Sequence, residues 1–205
     1  MLNLVNPKFS FKFAELKVVQ MKNIKIAISG DLGSGKSVLS KQLKAELGFE
    51  VISIGVIQRE LAWQYGMDAL EFNKFMETHP EIDQKCDQMV VDYGKQEGGL
   101  ILDSRLAWYF IPHSFKVHLR VDNNIAAKRI FEDIIRKNEK YISIEDAAQK
   151  LLARKESERH RYKTLYGVDV EDLSNYDCVI DTSNFTPEQI FQKVFSAYKD
   201  WLKNK

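Results

Sequence analysis

Residues 30–37 read Gly30-Asp31-Leu32-Gly33-Ser34-Gly35-Lys36-Ser37, a complete G-x-x-x-x-G-K-S string, and no other segment restricts the possible folds of the chain as tightly. A β-rich run, residues 24–29, precedes it, and a stretch of good helix formers, residues 38–47, follows. Strand, loop and helix in that order are the context such a string requires. Glycines 30, 33 and 35 let the backbone curl so that successive N–H groups face an anion. The helix beginning near Lys36 adds the positive end of its dipole. The backbone from Gly30 to Val38 is thus expected to hold the phosphates of a nucleoside triphosphate, with Lys36 at the β- and γ-phosphates and the Ser37 hydroxyl on Mg²⁺.

From Ile24 onward, apolar strands alternate with helical patterns. Strands are expected at 24–29, 50–54, 99–103, 116–121 and 178–182, and helices near 36–47, 56–65, 68–77, 80–96, 123–138, 144–163 and 187–203. Near-continuous Val/Ile/Leu runs suit strands buried on both faces of a parallel sheet. The alternation implies an α/β three-layer sandwich. Pro187 after Thr186 is a cap–proline helix start, and Asp122 or Asn123 could cap the helix after the fourth strand. Residues 1–20 stand apart as an N-terminal extension expected to be dispensable. There Phe9, Phe11 and Phe13 alternate with polar residues as in a strand, and Met21 is a natural start before the first core strand.

A chain of 205 residues with 44% apolar and 29% charged residues is sized and composed as one soluble domain. No apolar run reaches the length of a membrane span, so a cytoplasmic protein without a membrane partner is expected. Cys86 and Cys178 lack C-x-x-C spacing and are expected to be free thiols. A net charge of +1 argues against a general nucleic-acid binder. Between Lys128 and Lys163, 11 Lys/Arg oppose 7 Asp/Glu, so this segment carries +4 and the remainder −3, a balance suited to polyphosphate substrates. His79, His113, His118 and His160 are too scattered to suggest a metal site, and Trp63, Tyr65, Trp108, Tyr109 and Phe110 read as core or pocket-wall residues. The string N-K-x-D of guanine-specific GTPases is missing, since Asn73-Lys74-Phe75-Met76 lacks the aspartate.

Two constellations point to a second phosphate site. Asp103 and Arg105 follow the third strand, and ligands of open α/β sheets bind beyond the carboxyl ends of the strands. Asp103 could support Mg²⁺ or be an ordinary strand-end turn residue, and Arg105 could fork onto a phosphate. Arg154, Glu158 and Arg161 are spaced four and three apart, on one helical face. They could clamp a phosphate and a ribose, or be Arg–Glu pairs on a solvated helix.

The run of residues 51–62 (Val-Ile-Ser-Ile-Gly-Val-Ile-Gln-Arg-Glu-Leu-Ala), the segment Leu102-Asp103-Ser104-Arg105-Leu106-Ala107, and the endings at 161–169 and 176–182 together resemble the cytidylate kinases, in particular their archaeal-type branch. The resemblance covers roughly residues 24–200. It implies a nucleoside-monophosphate kinase fold with a five-stranded parallel sheet in order 2-3-1-4-5, and transfer of the ATP γ-phosphoryl group to CMP or dCMP. It also implies that Arg59 and Arg105 bind the acceptor phosphate, Arg154 and Arg161 close over the phosphates, Glu158 meets the ribose, and Ser53 lies in the acceptor turn. Arg129, with Arg136, would belong to a lid around 128–145 and reach the ATP. The expected assembly is a monomer. Val56, Gln58, Ser104 and Lys155 depart from the family pattern; Val56 and Gln58 adjoin the acceptor pocket. Two other functions fit the residues alone: another small-molecule or nucleoside kinase with Asp103 as base, and a nucleotide-binding module without transferase activity.

Overall fold

The structure, a computed structural model, describes residues 23–133 and 141–205. The expected strand at Phe9–Phe13, the whole of the extension at 1–20, Met21 and the lid residue Arg136 lie outside the described residues.

Five strands form one parallel sheet: β1 (Lys25–Gly30), β2 (Glu50–Ser53), β3 (Leu100–Asp103), β4 (Phe115–Arg120) and β5 (Cys178–Asp181), in the order β2-β3-β1-β4-β5. Eight helices accompany them among the described residues: α1 (Lys36–Leu47), α2 (Ile54–Gln64), α3 (Ala69–Glu77), α4 (Pro80–Lys95), α5 (Ala107–Phe110), α6 (Asn123–Phe131), α7 (Ile144–Tyr166) and α8 (Pro187–Lys203). The expected fold and strand order are those observed.

Central β1 is buried along its whole length because both of its faces are covered. Ile26 and Ile28 point to one side, into a core with Leu39 and Leu43 of α1 and Ile190 and Val194 of α8. Ala27 points to the other, into a core with Ile54 of α2, Cys86 and Val90 of α4, and Tyr162 of α7. Full burial of side chains such as Ile26 or Leu102 stabilises the fold by about 1.5–3 kcal/mol apiece. All five strands therefore end at one edge, where the loops to α1, α2 and α5 emerge.

Local signals fix where the helices begin. Asp122 caps α6, accepting from the N–H groups of Asn124 and Ile125, which decides between the two candidates at that position. Thr186 and Gln189 form a reciprocal capping box around Pro187 at the start of α8. Helix α7 runs three residues beyond the expected end and stops at Gly167, whose φ of 69° is left-handed. The four-residue α5 was not anticipated, being too short to produce a helical period. One expectation is overturned: Trp63, on the outer side of α2, is 70% exposed, and Tyr65 at the end of that helix and Tyr109 of α5 also face solvent, while Trp108 is buried as expected.

Candidate active site

Gly30 ends β1 with φ of 134°, where a side-chain carbon would overlap the backbone carbonyl of Leu119 on β4. That close approach lets the Asp31 N–H donate to the Leu119 carbonyl at 2.8 Å, which turns the chain out of the sheet. Gly33 adopts φ of 75° with the α6 backbone at Ala126 3.0 Å from where a side chain would start. At the far end of the loop Gly35 precedes α1, no side chain caps this helix, and its first turn holds no acidic residue. Its amide hydrogens are thus left to bind an anion.

Lys36 folds back over the loop, donating to the carbonyls of Gly30 at 2.9 Å and Asp31 at 2.6 Å. Burial, with Arg105 nearby, pushes its ammonium down to about 7, although Asp103, Glu158 and Asp31 pull the other way. A polyphosphate in the loop would reverse that push. Asp31 is fixed by the Val121 N–H at 3.0 Å and by Lys155 at 3.0 Å, and Lys155 also pairs with Glu171. Lys155, a departure from the family pattern, thus ties the loop to α7.

The loop forms one side of a cavity of about 740 Å³. Leu32–Val38 line it, and on the same wall Arg129 donates to the Gly33 carbonyl at 3.3 Å and the Thr182 carbonyl at 2.8 Å. Ser37 and Asp103 both face the cavity. Among the described residues no group of three or more His, Cys, Asp or Glu could hold a metal. One hydroxyl and one carboxylate suit Mg²⁺, which takes one or two protein oxygens and completes its shell with phosphates and water.

The other wall comes from the ends of β2 and β3. Ser53 donates to the Asp103 carboxylate at 3.0 Å, and the Arg59 guanidinium lies over Gly55, 3.6 Å from where a side-chain carbon would sit. Arg105 Nε donates to Glu158 Oε2 at 2.7 Å. Burial opposes the charge on each partner, but their mutual attraction, aided on the carboxylate by Arg154 and Arg161, holds both ionised. Arg154 also lines the cavity and is buried. The solvated-helix alternative for this α7 face is therefore excluded: Arg154, Glu158 and Arg161 are all less than 9% exposed.

Arg161, however, is not brought to the cavity. Seven residues from Arg154 keep it on the same face but carry it about 10 Å farther along the helix. There its side chain, 2% exposed, pairs with Asp83 of α4 at 2.7 Å and donates to the Asn73 carbonyl at 2.9 Å. The expectation that Arg161 closes over the phosphates is corrected by this geometry: it ties α7 to α3 and α4.

Residues 26–150 match the AAA domain family. Across 173 residues the chain is 36% identical to the cytidylate kinase of Pyrococcus horikoshii, covering 84% of this chain and 86% of that one. The cytidylate kinase of Methanocaldococcus jannaschii is 37% identical over 87% of this chain and 99% of its own. This chain belongs to the cytidylate kinase family. Membership makes it a kinase that draws phosphate from ATP. More distant solved structures share its fold: a gluconokinase from Sinorhizobium meliloti (TM-score 0.58, 11% identical, covering 89% of this chain and 95% of that one) and a shikimate kinase from Bacteroides thetaiotaomicron (TM-score 0.55, 14% identical, covering 88% and 98%).

Several cavity-lining residues carry no motif in the sequence, and one of them is an acid. Asp87 of α4 faces the cavity from the same side as Gln58 and Arg59, and it accepts from the Tyr166 hydroxyl at 2.7 Å. A signal existed: Ile82, Cys86 and Val90 mark the inward stripe of α4, and Asp83 and Asp87 lie directly beside it, so both carboxylates had to point inward.

Proposed function

We propose that this protein transfers the γ-phosphoryl group of ATP to CMP or dCMP, releasing ADP and CDP or dCDP. A new bond forms between an acceptor phosphate oxygen and the γ-phosphorus as the bond to the β–γ bridging oxygen breaks. The acceptor phosphate is already mostly a dianion at neutral pH, so no strong base is required. What the chain must supply is charge cancellation and alignment between two polyanions. In this reading the loop amides and Lys36 hold the β- and γ-phosphates, and Arg129 steadies the ATP side. Arg59 and Arg105 hold the acceptor phosphate, and Arg154 approaches the transferring group. Glu158 keeps Arg105 aimed and meets the ribose, and Ser53 orients Asp103. Mg²⁺, held by Ser37 and Asp103, would neutralise charge on the phosphate oxygens. The protein is taken to act as a cytoplasmic monomer on free nucleotides.

The observation that supports this most is the placement of Arg59, Arg105 and Arg154 on the same cavity as the phosphate loop. Three guanidiniums suit an anionic acceptor and would have little to bind on an uncharged nucleoside. The test is ADP release from ATP and Mg²⁺ with each nucleoside monophosphate and each nucleoside as acceptor. Strong turnover with CMP or dCMP is expected. Turnover with a nucleoside alone would make Asp103 a general base, and silence with every acceptor would make the protein a binding module.

A further inference from the structure

Beyond the arginines, the acceptor side of the cavity holds one more charged group with capacity to spare. Asp87 is 7% exposed, lines the cavity, and uses only one of its two carboxylate oxygens within the protein. Oδ2 accepts from Tyr166, which fixes the carboxyl plane, while Oδ1 has no partner among the described residues. That oxygen is not sealed in the core but opens to the cavity, so it is free to accept from a bound ligand without any rearrangement of the protein. Ile54 and Ile57 supply apolar walls on the same cavity, suited to the faces of a planar ring.

We propose that Asp87 is the residue that selects cytosine over uracil, its free Oδ1 accepting a hydrogen bond from the exocyclic amino group of the acceptor base. This rests on the acceptor reading given above. Uracil places a carbonyl where cytosine places the amino group, so it would bring two acceptor oxygens together. A site built around a buried acceptor rejects a ligand that cannot donate far more strongly than an apolar pocket rejects a misfit. Tyr166 is the positioning residue, since it holds Asp87 without reaching the base itself.

The charge on Asp87 adds a second signature. Facing it are Asp83 on its own helix, Arg161, Tyr162 and Tyr166 on α7, and Arg59 on the same cavity from α2. Burial pushes its carboxyl up to about 7, against the Tyr166 bond; Asp83 adds to the rise and Arg161 opposes it. Below that pH, Oδ1 carries a proton and can donate to the uracil carbonyl. Above it, only an amino group satisfies the site. Preference for CMP over UMP therefore rises as pH increases through neutrality.

Dissociation constants and kcat/KM for CMP and UMP, measured on the full chain and on Asp87→Asn between pH 6 and 8.5, test this. An amide can turn either its oxygen or its nitrogen to the base. The variant is expected to lose about tenfold or more of its CMP preference, mainly through improved use of UMP, and to lose the pH dependence of that preference. An unchanged CMP:UMP ratio, or equal loss toward both, overturns the proposal and leaves Asp87 as a purely structural partner of Tyr166. If Asp87→Asn does not fold, Tyr166→Phe reads the same point. The ratio should fall several-fold and its pH midpoint should move upward, and no change in either overturns the proposal. Because binding is read without turnover, an inactive protein that still prefers CMP refutes the kinase reading and upholds Asp87. An active kinase indifferent to Asp87→Asn does the reverse.

Discussion

At the loop end of the cavity the groups that can hold an anion are backbone amides, whereas at the end proposed for the acceptor they are the side chains of arginines. The first is one contiguous loop, Gly30–Lys36, whose donors are amides pinned by Gly30 against Leu119 and by the uncapped start of α1. The second, as proposed, gathers Arg59, Arg105 and Arg154 from three segments and holds Arg105 in place with the buried partner Glu158. A backbone site is set by φ and sterics within a few residues. A side-chain site depends on how α2, α4 and α7 pack together.

That contrast can be broken in several ways. Lys36→Ala removes the side chain proposed to hold the β- and γ-phosphates. It should lower kcat/KM by about a thousandfold or more while the circular dichroism spectrum and melting temperature hold. A folded, active variant would mean the loop is not the phosphate site.

Arg161 and Arg105 should separate next. Arg161→Ala leaves Asp83 charged and buried without a partner, and equilibrium denaturation should show a loss of about 3–5 kcal/mol. Under conditions where it remains folded, its KM for ATP should be near that of the parent. Arg105→Lys keeps the charge but loses the fork, and should lose turnover chiefly. If Arg161→Ala instead keeps its stability and loses turnover, the arginine visits the phosphates after all.

His118, on β4 close to both ends, gives a pH test. Burial pushes its imidazole down to about 4 in the fold, with Arg105 and Lys36 adding to the push against Asp31, compared with an ordinary value near 6.5. Between those values the unfolded chain binds the extra proton, so stability rises with pH across the window and is fully present above it. The change amounts to about 2–3 kcal/mol and should shrink in His118→Asn when unfolding free energies at pH 4 and pH 7 are compared. The smallest effect belongs to the capping box remote from chemistry: Thr186→Ala should cost about 1 kcal/mol of stability by denaturant titration and nothing in turnover.

The same division explains what the sequence disclosed. The phosphate loop and strand order were legible because Gly30–Ser37 is contiguous and the strands are continuous apolar runs. Spacing puts Arg154, Glu158 and Arg161 on one face but cannot say how far along the helix the cavity reaches, and the resemblance alone places Arg161 at the phosphates. The stripe of α4 turns Asp87 inward, but its partner Tyr166 lies 79 residues away, so the bond that fixes its carboxyl is not legible in the sequence. Trp63 was expected inside because an aromatic carries no sign of which side of a helix faces solvent when the apolar stripe is broad.

Transfer of label from γ-labelled ATP is the most direct test of the central claim. With Mg²⁺, CMP and the full-length chain, chromatography should place the label in CDP with little in inorganic phosphate. Label released only as inorganic phosphate, or found only on a nucleoside, would contradict the account.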